Sequence, residues 1–432
     1  MDVPLPVREA PKVVPGTEPY RLLFPIGVAI GLVGVGLWIA NAFGWVPYPG
    51  NPHAALLLLG FQHCFVLGFL MTAMPAFLHS EHCRPEERTA AALLVVGSAL
   101  STLVGWGVAA SLLYLGTLLV PIWMAVRRVV GGKAGAPPEE FILVASGFLM
   151  GIVGAAWSAG SAAGLWSDPT PRFGLRLIGL GMILPVVLGI GGLLVPTFMA
   201  MREPLTIPGL ARAHERGPRR ALYAAVVLLF VGALMLEANR HPVGAAWIRA
   251  IVGSLLLLWV WKLFRPPGRA DRLSYSLWSA GWILFAGLWL AVLVPSRPLL
   301  GEHVIFLGGF GFLTLGIATR VVVRHGGNPL EWESRVIGVA ALVLLGAALL
   351  TRALSEGVDP AGATRAWLLA GAAAAWMGAW GRWAWKAVPL ALRKPPTKEP
   401  GRPASSGPPP DRKVTMRLAP PEPRTRSGPP PT

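Results

Sequence analysis

Residues 173–199 read FGLRLIGLGMILPVVLGIGGLLVPTFM, a run in which Arg176 is the only charged side chain. An α-helix rises about 1.5 Å per residue, so a run of this length crosses the roughly 30 Å hydrocarbon core of a bilayer. The run therefore predicts a membrane-spanning helix. Its glycines would let neighbouring helices approach closely.

The same pattern recurs along most of the chain. Of the 432 residues, 54% are hydrophobic and only 14% are charged, and the mean hydropathy is +0.57. Soluble domains carry nearer to a quarter charged residues. These values exclude a soluble protein and predict an all-α, polytopic transmembrane helix bundle that lies in a lipid bilayer.

We predict about twelve spans within a transmembrane domain of residues 21–390. The third and fourth spans are separated only by a stretch of small residues. No convincing internal repeat, of the kind that favours a transporter, is visible in the sequence. The predicted spans are residues 21–43, 53–78, 89–108, 111–130, 140–163, 173–199, 220–237, 244–264, 275–294, 302–323, 335–354 and 364–388.

The net charge of +17 fits a membrane protein and does not require nucleic acid as a partner. Loops on one side carry more than twice as many Lys and Arg residues as the opposite loops. The positive-inside rule then predicts a bacterial-type inner membrane protein with both termini cytoplasmic. Residues 1–20 would be a cytoplasmic segment, and residues 391–432, rich in Pro and basic residues, a disordered tail. Below, "inner" means the predicted cytoplasmic end and "outer" the opposite end.

Two histidines begin predicted spans at the same outer level. Ionisable groups at membrane depth are costly, so each is a functional candidate. If their helices are neighbours, His53 and His303 could ligate one metal centre, and Glu302 could orient a ring by accepting its second N–H. The alternative is that both histidines are ordinary helix-end residues.

A third histidine, His63, lies near the middle of its span. Three alternatives stay open for this ring: a haem or metal ligand, a structural hydrogen bond to another helix, or a place on a substrate path. Its neighbour Cys64 fits a small buried apolar residue better than a ligand.

Residues 61–83, FQHCFVLGFLMTAMPAFLHSEHC, contain both cysteines of the chain. His63 and His82 are separated by about 28 Å along a continuous helix, so the two His-Cys pairs cannot share a metal ion. His79, His82 and Cys83 could form a separate zinc or copper site at the inner end. The alternative is an ordinary polar helix end.

Three stretches resemble the NnrS family of polytopic bacterial membrane proteins, and the resemblance covers most of residues 20–355. Residues 53–75, HAALLLLGFQHCFVLGFLMTAMP, are similar to its early helix, and residues 189–201, GIGGLLVPTFMAM, to a middle turn. Residues 303–330, HVIFLGGFGFLTLGIATRVVVRHGGNPL, are similar to its late motif. The residues that match the late motif are His303, Gly308, Gly311, Thr314, Thr319, Arg320, His325, Gly327 and Pro329.

This chain departs from the family pattern at three positions. The second histidine of the early motif corresponds to Ala55, and the following glutamate to Leu56. The arginine of the middle motif corresponds to Leu193. His63 has no counterpart, and we hypothesise that it replaces the missing histidine at a deeper level.

The resemblance implies a membrane protein that binds haem b, copper or both. It also implies a link to nitric oxide, nitrosative stress or denitrification, with nitric oxide or a redox partner as its ligand or partner, without assigning an enzymatic reaction. The implied cofactor-binding residues are His53, His63, His303, Arg320 and His325, with His53 and His303 as the metal ligands and His79, His82 and Cys83 as weaker candidates.

The plainest alternative to this function is an assembly or partner subunit, and two more specific alternatives remain. The first is a transporter for a soft metal ion or a small molecule, without haem. The second is a haem-copper oxidase, which needs about six membrane histidines spread over several helices. Because spans other than the second and tenth offer no histidine, the oxidase fits poorly. In the favoured reading, Arg320 would pair with a haem propionate or another anion.

Overall fold

The structure, a computed structural model, describes residues 17–78, 80–131, 137–170, 172–200, 216–360 and 362–393. Within these residues the chain forms twelve helices of at least 16 residues, a short helix at Trp332–Ile337 and no strand. The long helices are α1 Tyr20–Ala42, α2 Gly50–Phe77, α3 Pro85–Leu103, α4 Gly107–Val130, α5 Phe141–Ala162, α6 Phe173–Phe198, α7 Arg216–Ala238, α8 Pro242–Val260, α9 Arg272–Leu293, α10 Pro298–His325, α11 Val339–Leu354 and α12 Ala363–Leu392.

Nine of these described helices are long and apolar enough to cross a membrane: α1, α2 and α4 to α10. Helix α11 is apolar but shorter. The predicted all-α polytopic bundle is confirmed, whereas the count of about twelve spans stays a prediction. The predicted N-terminal segment up to residue 16, His79 and the predicted tail from residue 394 lie outside the described residues.

Helices α2, α6 and α10 form the centre of the bundle. Their most apolar windows are 67%, 100% and 72% buried, against 50% or less for the other six candidate spans. Each central helix contains a seven-residue π-helical segment: Leu56–Gln62, Leu177–Ile183 and Val304–Phe310. Such wide turns are uncommon inside α-helices and are frequent near functional sites.

The central helices are equivalent members of an internal repeat. When the π segments are aligned by their first residues, two glycine positions recur in every helix. The first is the fifth residue of the segment, and the second lies eight residues later. These glycines are Gly60, Gly181 and Gly308, followed by Gly68, Gly189 and Gly316.

The repeat unit contains four helices, so α1–α4, α5–α8 and α9–α12 correspond. In each unit the first helix packs on the second, and the third packs on the fourth. The fourth helix of each unit packs on the first helix of the next, and α12 closes the ring against α1. Because four is an even number, the three units run in the same direction through the bundle.

The third residues of the π segments meet where the central helices converge. A Cβ on Gly179 would lie 2.8 Å from the Phe306 ring and 3.6 Å from the Leu58 side chain. This recurrence of helices and glycines is not apparent from the sequence alone. The few shared glycines lie 121 and 127 residues apart, among apolar residues that are interchangeable in a membrane.

The repeated glycines predict where added volume is most damaging. A Cβ on Gly308 would lie only 2.5 Å from Ile283 of α9. We expect Gly308→Leu to lower the free energy of unfolding by about 1–3 kcal/mol through overpacking, measured by thermal unfolding in detergent. The control is Gly346→Leu on α11, where no heavy atom of another described element lies within 4 Å of the added Cβ. Equal losses of stability in both variants would contradict the packing role.

Candidate functional site

A cavity of about 560 Å³ lies at the outer end of the bundle. Its volume falls within the roughly 300–1,000 Å³ of small-molecule and cofactor sites. The walls are largely apolar and include residues of the α2 and α10 π segments. Aromatic and aliphatic wall residues include Leu57, Phe61, Phe306, Phe310 and Trp376.

His53 and His303 line this same cavity, one on α2 and the other on α10. His53 Nδ1 lies 3.0 Å from the carbonyl oxygen of Gly34, and His303 Nδ1 lies 2.7 Å from that of Leu299. A carbonyl oxygen only accepts, so each Nδ1 carries the proton and each Nε2 keeps its lone pair. Metal-binding histidines commonly donate their second ring N–H in this way.

The surroundings hold the His53 ring in place. The Trp38 ring packs edge-on against it, with centroids 5.5 Å apart. Glu302, expected to orient His303, instead forms an ion pair with Arg176 at 2.8 Å. The orienting group of His303 is therefore the Leu299 carbonyl one turn earlier in α10.

Five arginines line the cavity. The charge distribution along the sequence assigns all five to the outer side of the membrane. They come from the outer ends of α8, α11 and α12 and from the start of α6. In the sequence these arginines lie at the ends of predicted apolar spans and not in the centres of loops. That position is the feature that could have indicated a role inside the bundle. These residues are Arg172, Arg176, Arg249, Arg352 and Arg365.

Two carboxylates hold four of these arginines. Glu237, fully buried on α7, forms ion pairs with Arg176 and with Arg249, the latter at 2.5 Å. Glu356 accepts from Arg352 at 2.6 Å and lies 3.7 Å from Arg365. Buried arginines at membrane depth need such partners, so the network fixes the helix ends around the cavity.

His63 does not line the cavity. Its ring is fully buried and packs on Tyr114 with centroids 4.7 Å apart, and Nε2 lies 2.8 Å from Thr117 Oγ1. The Thr117 hydroxyl donates to the Tyr114 carbonyl, so it accepts its bond from His63. These contacts support the structural alternative, and the haem-ligand alternative stays a prediction. Cys64 is buried, as expected for a small apolar residue.

The contacts of His63 yield a direct prediction. We expect His63→Ala to lower the free energy of unfolding by about 2–4 kcal/mol, because it removes a buried ring and a hydrogen bond. The visible absorption spectrum of the purified protein should not change. Thr117→Val is the matched control, which removes only the bond and should cost about 1–2 kcal/mol. A shifted spectrum in His63→Ala but not in Thr117→Val would restore the ligand alternative.

The proposed inner metal set is only partly described, because His79 lies outside the described residues. The described part of the chain holds no group of three or more His, Cys, Asp or Glu able to bind a metal ion. Arg128 donates to the carbonyl of His82 at 3.0 Å, so this segment is anchored to α4. Burial and the nearby Glu87 raise the pKa of the Cys83 thiol to about 12.

Arg320 and His325 also lie away from the cavity, at the inner end of α10. The Arg320 guanidinium pairs with Glu333 at 2.5 Å and stacks 4.5 Å from the centre of the Phe198 ring. The His325 ring lies 5.7 Å from that of Tyr20. Arg320 therefore already has a carboxylate partner, and cofactor binding by this pair stays a prediction.

Fold and cavity together define a polytopic α-helical membrane protein with a largely apolar cavity that contains two histidines and five arginines. The chain matches the NnrS protein family over residues 17–394 and belongs to that family. The predicted family is thereby confirmed over nearly the whole chain. A search of curated proteins found no match.

Proposed function

We propose that the cavity is the haem- or copper-binding centre of an NnrS-type membrane protein that acts in the response to nitric oxide. His53 and His303 would hold the group through Nε2. One observation carries the proposal. In one cavity, each histidine donates from Nδ1 to a backbone carbonyl, which leaves the Nε2 lone pair of each ring available.

The residues present fit either group. The apolar walls suit the flat ring of a haem, and the cavity volume suits a ligand of that size. Two neutral imidazoles are good ligands for iron and for copper. A haem or copper ion bound there would supply reversible binding of nitric oxide and one-electron chemistry.

The protein residues would orient the centre and exclude water from it. Hydrogen bonds to Gly34 and Leu299 fix the two imidazole planes, and Trp38 limits rotation of the His53 ring. The ion pairs of Glu237 with Arg176 and Arg249 join α6, α7 and α8 behind the cavity. The ion pair of Glu302 with Arg176 would join the outer end of α10, which carries His303, to this network.

We further propose that the chain lies in a bacterial-type inner membrane with both termini cytoplasmic. The charge distribution of the loops supports this orientation. The cavity would then face away from the cytoplasm. A reporter that is active only in the cytoplasm, fused to the C-terminus, should be active under this orientation and inactive under the opposite one.

The visible spectrum and metal content of the purified protein test the proposed function. We expect a Soret band with about one haem per chain, or bound copper without that band, and a spectral change on addition of nitric oxide. Protein that contains neither group after expression with both supplied would overturn the proposal. Uptake of a soft metal ion by vesicles containing such protein would favour the transporter alternative.

A further inference from the structure

The cavity has more positive than negative charge around it. Five arginines line it, whereas three glutamates of the described residues form ion pairs with them: Glu237, Glu302 and Glu356. This leaves an excess of two positive charges. Uncompensated charge in a low-dielectric site is costly, so an anionic ligand that balances it binds favourably.

Arg172 carries part of this excess. Among the described residues it forms no ion pair, although it lines the cavity. Its backbone has φ 59°, a left-handed conformation that is uncommon for a residue with a side chain and is often found at ligand sites. The guanidinium lies over Gly50, where a Cβ would come within 2.9 Å of Nη2.

Arg352 and Arg365 together carry the other part, because one carboxylate, Glu356, pairs with both of them, at 2.6 Å and 3.7 Å. Arg172 and Arg352 line the same cavity as His53 and His303. The Thr170 hydroxyl adds an uncharged donor. It lines the cavity, and its buried oxygen has no hydrogen-bond partner within the part of the chain that the structure describes.

We propose that the outer part of the cavity is a dianion-binding site, in which Arg172 binds one negatively charged oxygen group, the Arg352–Arg365 pair binds the other, and Thr170 donates a further hydrogen bond. Two carboxylates on one molecule are the ligand chemistry that this arrangement fits. Identifying them as the two propionates of a haem held by His53 and His303 rests on the proposed function. A free dicarboxylate or phosphate is the other source.

In this proposal Arg320 is not one of the residues that bind the anion. That residue pairs with Glu333 at the inner end and does not line the cavity. Arg172 and Arg352 lie instead in the same cavity as the two histidines. These arginines would therefore be available to bind the carboxylates of a macrocycle held by the two histidines.

The first arm of the test compares two forms of haem. Haem-free protein in detergent is titrated with haem b or with its dimethyl ester, which lacks the negative charges, and binding is followed by the Soret band. We expect Arg172→Gln and Arg352→Gln each to weaken haem b binding by about tenfold or more. Neither variant should affect the binding of the ester. Arg297→Gln, an exposed outer residue outside the cavity, is the matched control.

The second arm does not depend on haem. Succinate and inorganic phosphate are titrated into haem-free protein by calorimetry, and binding should weaken about tenfold in Arg172→Gln and recover in Arg172→Lys, which keeps the charge. Thermal unfolding identifies variants that fail to fold. If haem does not bind but these anions do, the proposed function fails and the anion site stands. If neither anion binds and the ester binds as tightly as haem b, the anion site is overturned.

Discussion

His303→Ala is expected to weaken binding of the haem or copper centre by more than about 100-fold, so that the protein is purified without its absorption band or its metal. The substitution removes one of two Nε2 lone pairs that the backbone holds ready in the cavity. Loss of an outer hydrogen-bond partner already costs about 10–100-fold in metal affinity, and loss of the ligand itself removes a coordination bond. The measurement is haem and metal content per chain in detergent.

The same result is expected for His53→Ala, because the two rings are held alike. His241→Ala is the control, since His241 is exposed at the outer end and does not line the cavity. Thermal unfolding should be compared for all three variants in their metal-free forms, so that loss of the cofactor is separated from loss of the fold. Full cofactor content in both His53→Ala and His303→Ala would refute the proposed ligand pair.

The second large effect is expected for Glu237→Gln. Glu237 is fully buried and pairs with two arginines, so the substitution leaves Arg176 and Arg249 close together without this counter-charge. Removing one member of a buried ion pair typically destabilises a protein by about 3–5 kcal/mol. We expect a loss of that size in denaturant unfolding in detergent.

A double variant separates charge from packing at this position. Glu237→Gln combined with Arg249→Gln removes one charge of each sign, so it should be more stable than Glu237→Gln alone. Glu331→Gln, exposed near the inner end, is the control and should change stability by less than about 0.5 kcal/mol. A double variant as unstable as the sum of the single variants would show that the charges are not coupled.

The sequence predicts the level of His53 and His303 along the bundle, but not the direction in which their side chains point. His53 and His303 each stand at the start of an apolar run. Because such a run crosses the membrane, its first residue lies near one surface, and both histidines start on the same side. That they face one cavity depended on the rotation of α2 and α10 about their axes. In a helix without strong amphipathicity, the sequence does not specify that rotation.

The arginines show a different limit. The positive-inside rule treats each Arg of an outer loop as one count toward orientation. Glu237 and Arg249 are 12 residues apart on two helices, and Arg176 is on a third. Nothing in the order of residues joins Arg176 to them. Their pairing depends on which helices are neighbours, which follows from the closed ring of three units.

The sequence by itself determined that this chain is an all-α membrane bundle of the NnrS family. Hydropathy over lengths of about 20 residues is a local property, because each helix satisfies its own backbone hydrogen bonds in lipid. Only the tertiary structure decided the threefold repeat, the His53–His303 cavity and its arginines. In a bilayer, apolar side chains alone do not distinguish one helix partner from another, so small residues and buried polar contacts select the neighbours. These contacts join residues far apart in the chain.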